Sequence, residues 1–354
     1  MQKPKTFIIL SPGFPKDESD STCLPAQQAF VLALKNNFPS VKVIVISFQY
    51  PHRSSNYTWK GVEVIPFNGR GRGQLLRLIL WMKVWFTLKR LNRETEIAGI
   101  LSLWVGECAL VGKYFSRKYN LKHKIWILGQ DAKIENNYVK RIDPSEDELI
   151  AMSEFLQQSF LQNHSIKPKY IIENAIDIDL YNISEGSRNI DVLGVGSLIP
   201  LKQYDLFIRI VRKVNEEVKV KSVICGKGPE EIKLRELMKE QELNGIIELK
   251  GEQQHSEVLK MMQASRIFLH TSSYEGFSSV CLEALYSGAH VISFCRPFTT
   301  AVEHWHFVDT ENEMIQKIVE ILKDSSTEYN PVLLFYVRDS VREMMRLYGV
   351  HEEI

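Results

Sequence analysis

The stretch Thr271-Ser-Ser-Tyr-Glu-Gly-Phe-Ser-Ser-Val-Cys-Leu-Glu-Ala-Leu-Tyr-Ser-Gly288 carries two glutamates, Glu275 and Glu283, eight positions apart. An apolar run, Ile267-Phe-Leu-His270, comes immediately before it, and a second, Ala289-His-Val-Ile-Ser293, immediately after. Strand, loop, helix and strand in this order predict one βαβ unit of a parallel sheet. Glu275 then lies in the loop at the carboxyl end of a strand, and Glu283 about a turn and a half into the helix. In open α/β sheets, that crevice outside the strand ends is where ligands bind.

The residue types of the loop point to a chemistry. Phe277, Ser278 and Ser279 are expected to form the first turn of the helix, whose free backbone N–H groups and dipole suit an anion. Two carboxylates beside that turn repel a lone phosphate. They accept hydrogen bonds from hydroxyls well, each worth roughly 1.5–3 kcal/mol when charge-assisted. The combination suits a ligand with both phosphates and several hydroxyls, such as a nucleotide sugar. Spacing alone leaves a second reading open, a solvated glutamate pair at a helix start.

Outward from this stretch, short apolar runs alternate with helix-length segments. Strands are expected over 6–10, 41–47, 62–65, 99–103, 124–128, 149–152 and 170–172. After a polar interval at 181–189 they resume over 191–195, 222–225, 246–249, 267–270 and 290–294. The alternation predicts two parallel sheets joined by a linker. Leu206, Phe207, Ile210, Val211 and Val214 fall on one helical face, and 332–348 also reads as helix. The 354 residues suffice for two ordinary domains, and a formal charge of +1 with 44% hydrophobic residues gives no sign of nucleic-acid binding. The five cysteines form no CxxC pair and fit a reducing cytoplasm. Met1-Gln-Lys-Pro-Lys-Thr6 leads into a short strand without the apolar stretch of a signal peptide, so a cytoplasmic location is expected.

Ser273, Glu275, Gly276, Phe277, Glu283, Ala284 and Gly288 resemble, position by position, the Glu-x7-Glu signature of retaining GT-B glycosyltransferases of family 4 (glycosyl transferases group 1). Ser278 stands in place of the usual glycine. The resemblance implies an α/β GT-B fold: two Rossmann-like parallel-sheet domains facing each other across a cleft, with a C-terminal helix crossing back to the first. The boundaries expected are 1–182 for the acceptor-side domain, 183–335 for the nucleotide-sugar-binding domain and 336–354 for the returning helix. By the same resemblance, Glu275 faces hydroxyls of the transferred sugar, and the amides after Gly276 (at Phe277 and Ser278) meet sugar and phosphate. Glu283 holds the ribose diol.

Val192-Leu-Gly-Val-Gly-Ser-Leu-Ile-Pro-Leu-Lys-Gln-Tyr-Asp-Leu-Phe207 resembles the family's Gly-Arg-Leu-x-x-x-Lys-Gly-x-Asp motif, whose arginine and lysine clamp the donor pyrophosphate. Gly196 matches the glycine and Lys202 the lysine, while Ser197 stands where the arginine is usual. Lys227, in Gly226-Lys-Gly-Pro229, is a candidate for the missing charge. For both lysines the alternative is a solvated surface residue. In the first domain, Leu128-Gly-Gln-Asp131 resembles the family's His-Gly-x-Asp loop, with leucine in place of histidine. Gln130 and Asp131 are therefore candidates on the acceptor side, and a loop-capping role for Asp131 is equally open. Ser11-Pro-Gly-Phe-Pro15 matches the family's first loop in part, which makes Gly13 a candidate for close approach to the phosphates. Asp177-Ile-Asp179 adjoins a segment resembling the family's Pro-Asn-Gly-Val-Asp, so it is not read as a metal-binding Asp-x-Asp. No metal or other cofactor is implied.

Residues 70–93 carry seven basic residues and no acidic one around a leucine- and tryptophan-rich middle. Arg77 and Lys83 interrupt the run, so a transmembrane helix is not expected. The segment is either a core helix with snorkelling basic residues or a helix lying in a membrane interface, peripheral on the inner face. The resemblance implies transfer from a nucleotide sugar to a glycan or lipid-linked acceptor in polysaccharide biosynthesis. A sugar-nucleotide epimerase of the same fold is one alternative. A catalytically silent nucleotide-sugar-binding assembly subunit is another, kept open by Ser197 and Leu128.

Overall fold

A computed structural model describes residues 3–70, 73–181 and 186–352. The chain forms two units, Met1–Asp177 with Phe335–Ile354, and Ile178–Leu334.

The first unit is built on one sheet of β1 (Lys5–Gly13), β2 (Lys42–Tyr50), β3 (Tyr57–Trp59), β4 (Val62–Pro66), β5 (Glu96–Leu103), β6 (His123–Ile127), β7 (Leu149–Ala151) and β8 (Tyr170–Ile171). Their order is β3-β4-β2-β1-β5-β6-β7-β8, parallel except for the β3–β4 pair. Phe7, Ile8, Ile9 and Leu10 of β1 are all buried, as expected of a parallel strand covered on both faces. The chain runs from β1 out to β2 and β4, then returns to β5 on the other side of β1. The carboxyl ends of β1 and β5 thus flank the point where strand order reverses, where such sheets bind ligands.

The last helix, Val337–Leu347, packs within this unit on the helix Pro25–Asn37. Tyr348 beyond it fills the space beside Gly99, where a Cβ would lie 2.1 Å from the tyrosine ring. The Tyr348 hydroxyl donates to the Ile100 carbonyl at 2.9 Å. The helix starts later than the expected 332. Ile176 and Tyr336 pair as a parallel bridge, with Ile176 N–H donating to the Phe335 carbonyl and Val337 N–H to the Ile176 carbonyl. Those bonds hold the backbone extended until Val337.

The second unit contains β9 (Ile190–Val195), β10 (Ser222–Cys225), β11 (Ile247–Gly251), β12 (Ser265–His270), β13 (His290–Ser293) and β14 (Trp305–Phe307). The order β11-β10-β9-β12-β13-β14 is parallel throughout, and it reverses between β9 and β12. Phe207, Ile210, Val211 and Val214 of the helix Tyr204–Glu217 are buried in one core with Val192, Ile224 and Ile267. The runs expected as strands are strands here, with ends shifted by a few residues. β3 and β14 were not expected, and each is only three residues long, too short for alternation to register.

The turns after β9 and β10 interlock. Gly196 N–H donates to the Cys225 carbonyl and Leu198 N–H to the Lys227 carbonyl, both at 3.0 Å. Backbone lies directly on backbone: a Cβ on Gly226 would sit 1.8 Å from the Gly196 oxygen, and one on Gly228 2.3 Å from the Leu198 oxygen. Only glycine fits at either position.

Candidate functional site

The loops after β9 and β12 meet at the reversal point of the second sheet. Ser273 N–H donates to the Leu201 carbonyl at 3.0 Å, and Thr271 Oγ1 donates to the Lys202 carbonyl at 2.8 Å. These bonds fasten the short turn Pro200–Lys202 to the loop after β12. They bring Lys202 Nζ to 2.5 Å from Glu275 Oε2, with side chains 20% and 23% exposed. Burial works to raise the Glu275 pKa, but the His270 ring and the Lys202 charge outweigh it and hold the carboxyl at about 2. Glu275 is therefore ionised at neutral pH, an acceptor of hydrogen bonds and not an acid.

His270, the last residue of β12, backs this pair. It is buried, with Nε2 at 3.3 Å from Ser272 Oγ, 3.4 Å from Ser278 Oγ and 3.6 Å from Glu275 Oε2. Burial lowers its pKa, and the ring is neutral at pH 7. Its Nδ1 is buried without a hydrogen-bond partner among the described residues.

The helix that follows is Ser279–Tyr286, so Phe277 and Ser278 are not in its first turn as expected. The Phe277 ring is buried, edge-on to Phe298 at 5.6 Å, and Ser278 takes an extended backbone as N-cap. Anchoring the phenyl ring draws both residues out of the helix. The first-turn amides are those of Ser279 and Val280, next to the buried Gly276 loop.

Glu283 is buried one turn further on, and its Oε1 lies 2.8 Å from His255 Nε2. His255 opens the helix His255–Gln263, which follows β11. Burial opposes a charge on the imidazole, but the Glu283 hydrogen bond and carboxylate raise its pKa above the usual value. Sequence reasoning identified neither histidine. His270 was visible only as the end of an apolar strand. His255 lies 28 positions before Glu283, and no spacing pattern ties the two.

Gly196 and Ser197 sit on the turn after β9 and Lys227 on the interlocked turn after β10, so Lys227 is on the loop adjoining Ser197. Ser197 and Lys227 are exposed, and no ion pair of Lys227 is found among the described residues.

The remaining candidates belong to the first unit. The buried Asp131 carboxylate accepts hydrogen bonds from the backbone N–H groups of Val105 (2.9 Å), Gly129 (2.8 Å) and Leu128 (3.2 Å). Burial pushes its pKa up to about 6 despite those bonds. Of its two readings, this is the geometry of loop capping: it ties the loops after β5 and β6 together. Gln130 beside it is exposed. Gly13 ends β1 at the reversal point, and a Cβ there would meet nothing closer than 3.6 Å, so the local backbone does not require glycine.

Residues 182–330, nearly all of the second unit, match the family described as Glycosyl transferases group 1. The second unit belongs to that family. Every donor-side candidate from Gly196 to Glu283 lies inside this group 1 domain, together with His255 and His270. Gly13, Gln130 and Asp131 lie outside it.

Among curated relatives, the chain is 28% identical over 243 residues to an N-acetylgalactosamine-N,N'-diacetylbacillosaminyl-diphospho-undecaprenol 4-alpha-N-acetylgalactosaminyltransferase of Campylobacter jejuni, covering 61% of this chain and 64% of that protein. It is 26% identical over 178 residues to a phosphatidylinositol N-acetylglucosaminyltransferase subunit of Schizosaccharomyces pombe, covering 48% and 39%. The chain thus spans less than two thirds of either relative.

Among solved structures, it resembles HepE of Anabaena in complex with UDP and glucose, with a TM-score of 0.72 at 17% identity over 98% of this chain and 100% of that one. Sucrose-phosphate synthase of Thermosynechococcus elongatus gives a TM-score of 0.74 at 14% identity, over 97% and 98%. These likenesses identify the fold as GT-B.

Proposed function

We propose that this chain is a retaining glycosyltransferase that moves a sugar from a nucleotide-sugar donor to a hydroxyl of a glycan or lipid-linked acceptor, without a metal. The observation that carries the reading is the pairing of Lys202 with an ionised Glu275 at the reversal point of the second sheet. On this reading Lys202 and the amides of Ser279 and Val280 meet the donor diphosphate. Glu275 accepts from sugar hydroxyls, and Glu283, held by His255, accepts from the ribose diol. Lys227 supplies a second cation where Ser197 replaces the family's arginine.

In the transfer, the bond from the anomeric carbon to the phosphate oxygen breaks and its electron pair stays with the phosphate. The acceptor oxygen bonds to the same face of that carbon, and its proton passes to the departing phosphate. The lysines and the helix start stabilise the charge that develops on the leaving group, the contribution a metal makes elsewhere.

The name of the Campylobacter relative describes a lipid diphosphate acceptor, and that of the Schizosaccharomyces relative a phosphatidylinositol. HepE binds UDP. UDP-sugars with lipid-diphosphate glycans are therefore the first substrates to test, with product anomeric configuration read by NMR and EDTA present throughout. Glu275→Ala is expected to fold and to lose transfer. A folded variant with unchanged turnover removes Glu275 from the reaction.

A further inference from the structure

The helix Gln74–Glu94 of the first unit has two apolar faces. Leu80, Val84, Leu88 and Leu91 are buried in a core that includes Ile8, Ile44, Ile100 and Phe115. At about 100° per residue these four share one side of the helix. Leu75, Leu78, Ile79, Met82 and Phe86 fall on the opposite side, where they are 77%, 53%, 40%, 53% and 64% exposed. The same outward side continues into Arg90 and Arg93, with Lys83 and Lys89 on its margins. Glu94 is the helix's one acidic residue. Isolated exposed apolar side chains are ordinary, but five in one stripe mark a contact surface. The inward face already packs the helix onto its sheet, so the outward stripe serves no packing within the unit.

We propose that this outward face seats on an anionic lipid surface. The stripe enters the boundary between headgroups and acyl chains, and the basic end complements the lipid phosphates. A cationic end with no interleaved acid fits a uniformly negative surface. No helix among the described residues is long and apolar enough to cross a membrane, so the contact is peripheral. Trp81 Nε1 donates to Glu107 Oε2 at 2.9 Å, and Gln49 donates to the other oxygen of that carboxylate. Glu107 opens the helix after β5, and Gln49 lies near the end of β2. The apolar half of the helix is therefore fixed at the carboxyl edge of the first sheet. This deepens the proposed function, since it puts a lipid surface beside the loops on the acceptor side.

The test is flotation of the full chain with vesicles of phosphatidylcholine alone and of phosphatidylcholine with phosphatidylglycerol, at low and high salt. The chain is expected to float with the anionic vesicles and to be released by salt. Leu78→Ser, Met82→Ser and Phe86→Ser together should abolish flotation while leaving the melting temperature and UDP affinity unchanged. Arg90→Glu with Arg93→Glu should weaken it roughly fivefold or more per charge altered and remove the preference for the anionic lipid. Absence of flotation, equal flotation with both vesicle types, or undiminished flotation of both variants overturns the proposal. A dimer seen by light scattering that the triple variant dissolves, with no flotation, also overturns it and gives the face to a second copy. Calorimetry with UDP reads the donor site separately: a chain that floats but binds no nucleotide contradicts the proposed function and leaves the lipid face standing.

Discussion

Lys202 Nζ stands 2.5 Å from Glu275 Oε2, so the cation assigned to the donor diphosphate is neutralised here by the carboxylate assigned to the sugar. On the proposed function, a donor replaces both halves of the pair at once, its phosphate taking the lysine and its hydroxyls the glutamate. The pair keeps each charge compensated, because an unpaired, partly buried charge is costly.

Glu275→Gln leaves Lys202 without its partner. The folded carboxyl titrates at about 2 instead of 4.5, so its stabilisation, on the order of 3 kcal/mol, is fully present above pH 4.5 and lost as pH falls toward about 2. Denaturant melts of wild type and variant should therefore differ near neutral pH and converge in acid. A gap that persists unchanged into acid contradicts the pairing.

His255 holds one oxygen of Glu283, and His255→Ala should raise the donor KM about tenfold with kcat little changed, the cost of one charged hydrogen bond. His255→Gln, which can still donate, should recover most of the loss. The His255 pKa is raised above 6.5, so its stabilising effect is complete below pH 6.5 and fades as pH rises through the folded value. A difference between wild type and His255→Gln that does not change with pH would reduce His255 to packing.

Gly226→Ala forces a methyl group into the Gly196 carbonyl, 1.8 Å away, and a loss of about 2–4 kcal/mol is expected. Thermal melting checks this directly. An unchanged midpoint would mean that the two turns are not interlocked.

The residues that were legible in the sequence are those whose signal is local. β1, β9 and β12 announce themselves as apolar runs because parallel strands are buried on both faces, and the strand–loop–helix order then places Glu275 and Glu283. What depends on distant parts of the chain stays hidden. His255 reaches Glu283 only because the helix after β11 packs against the helix after β12. The two readings of Asp131 separate only once the N–H groups of Val105, Leu128 and Gly129 are seen to point at its oxygens. Phe277 leaves the helix for a partner, Phe298, twenty-one positions away that no periodicity links to it.

The most direct measurement is a thermal-shift panel of UDP-, GDP- and ADP-sugars on the wild type and on Lys202→Ala. At about 100 times Kd, a bound donor stabilises by about 2.7 kcal/mol and should raise the melting temperature of a domain of this size by about 5–10 °C. One nucleotide sugar is expected to give such a shift, and Lys202→Ala, folded, to lose most of it at the same concentration. A panel without any shift, or a shift equal in the variant, would contradict the assignment of Lys202 and Glu275 to a nucleotide-sugar site.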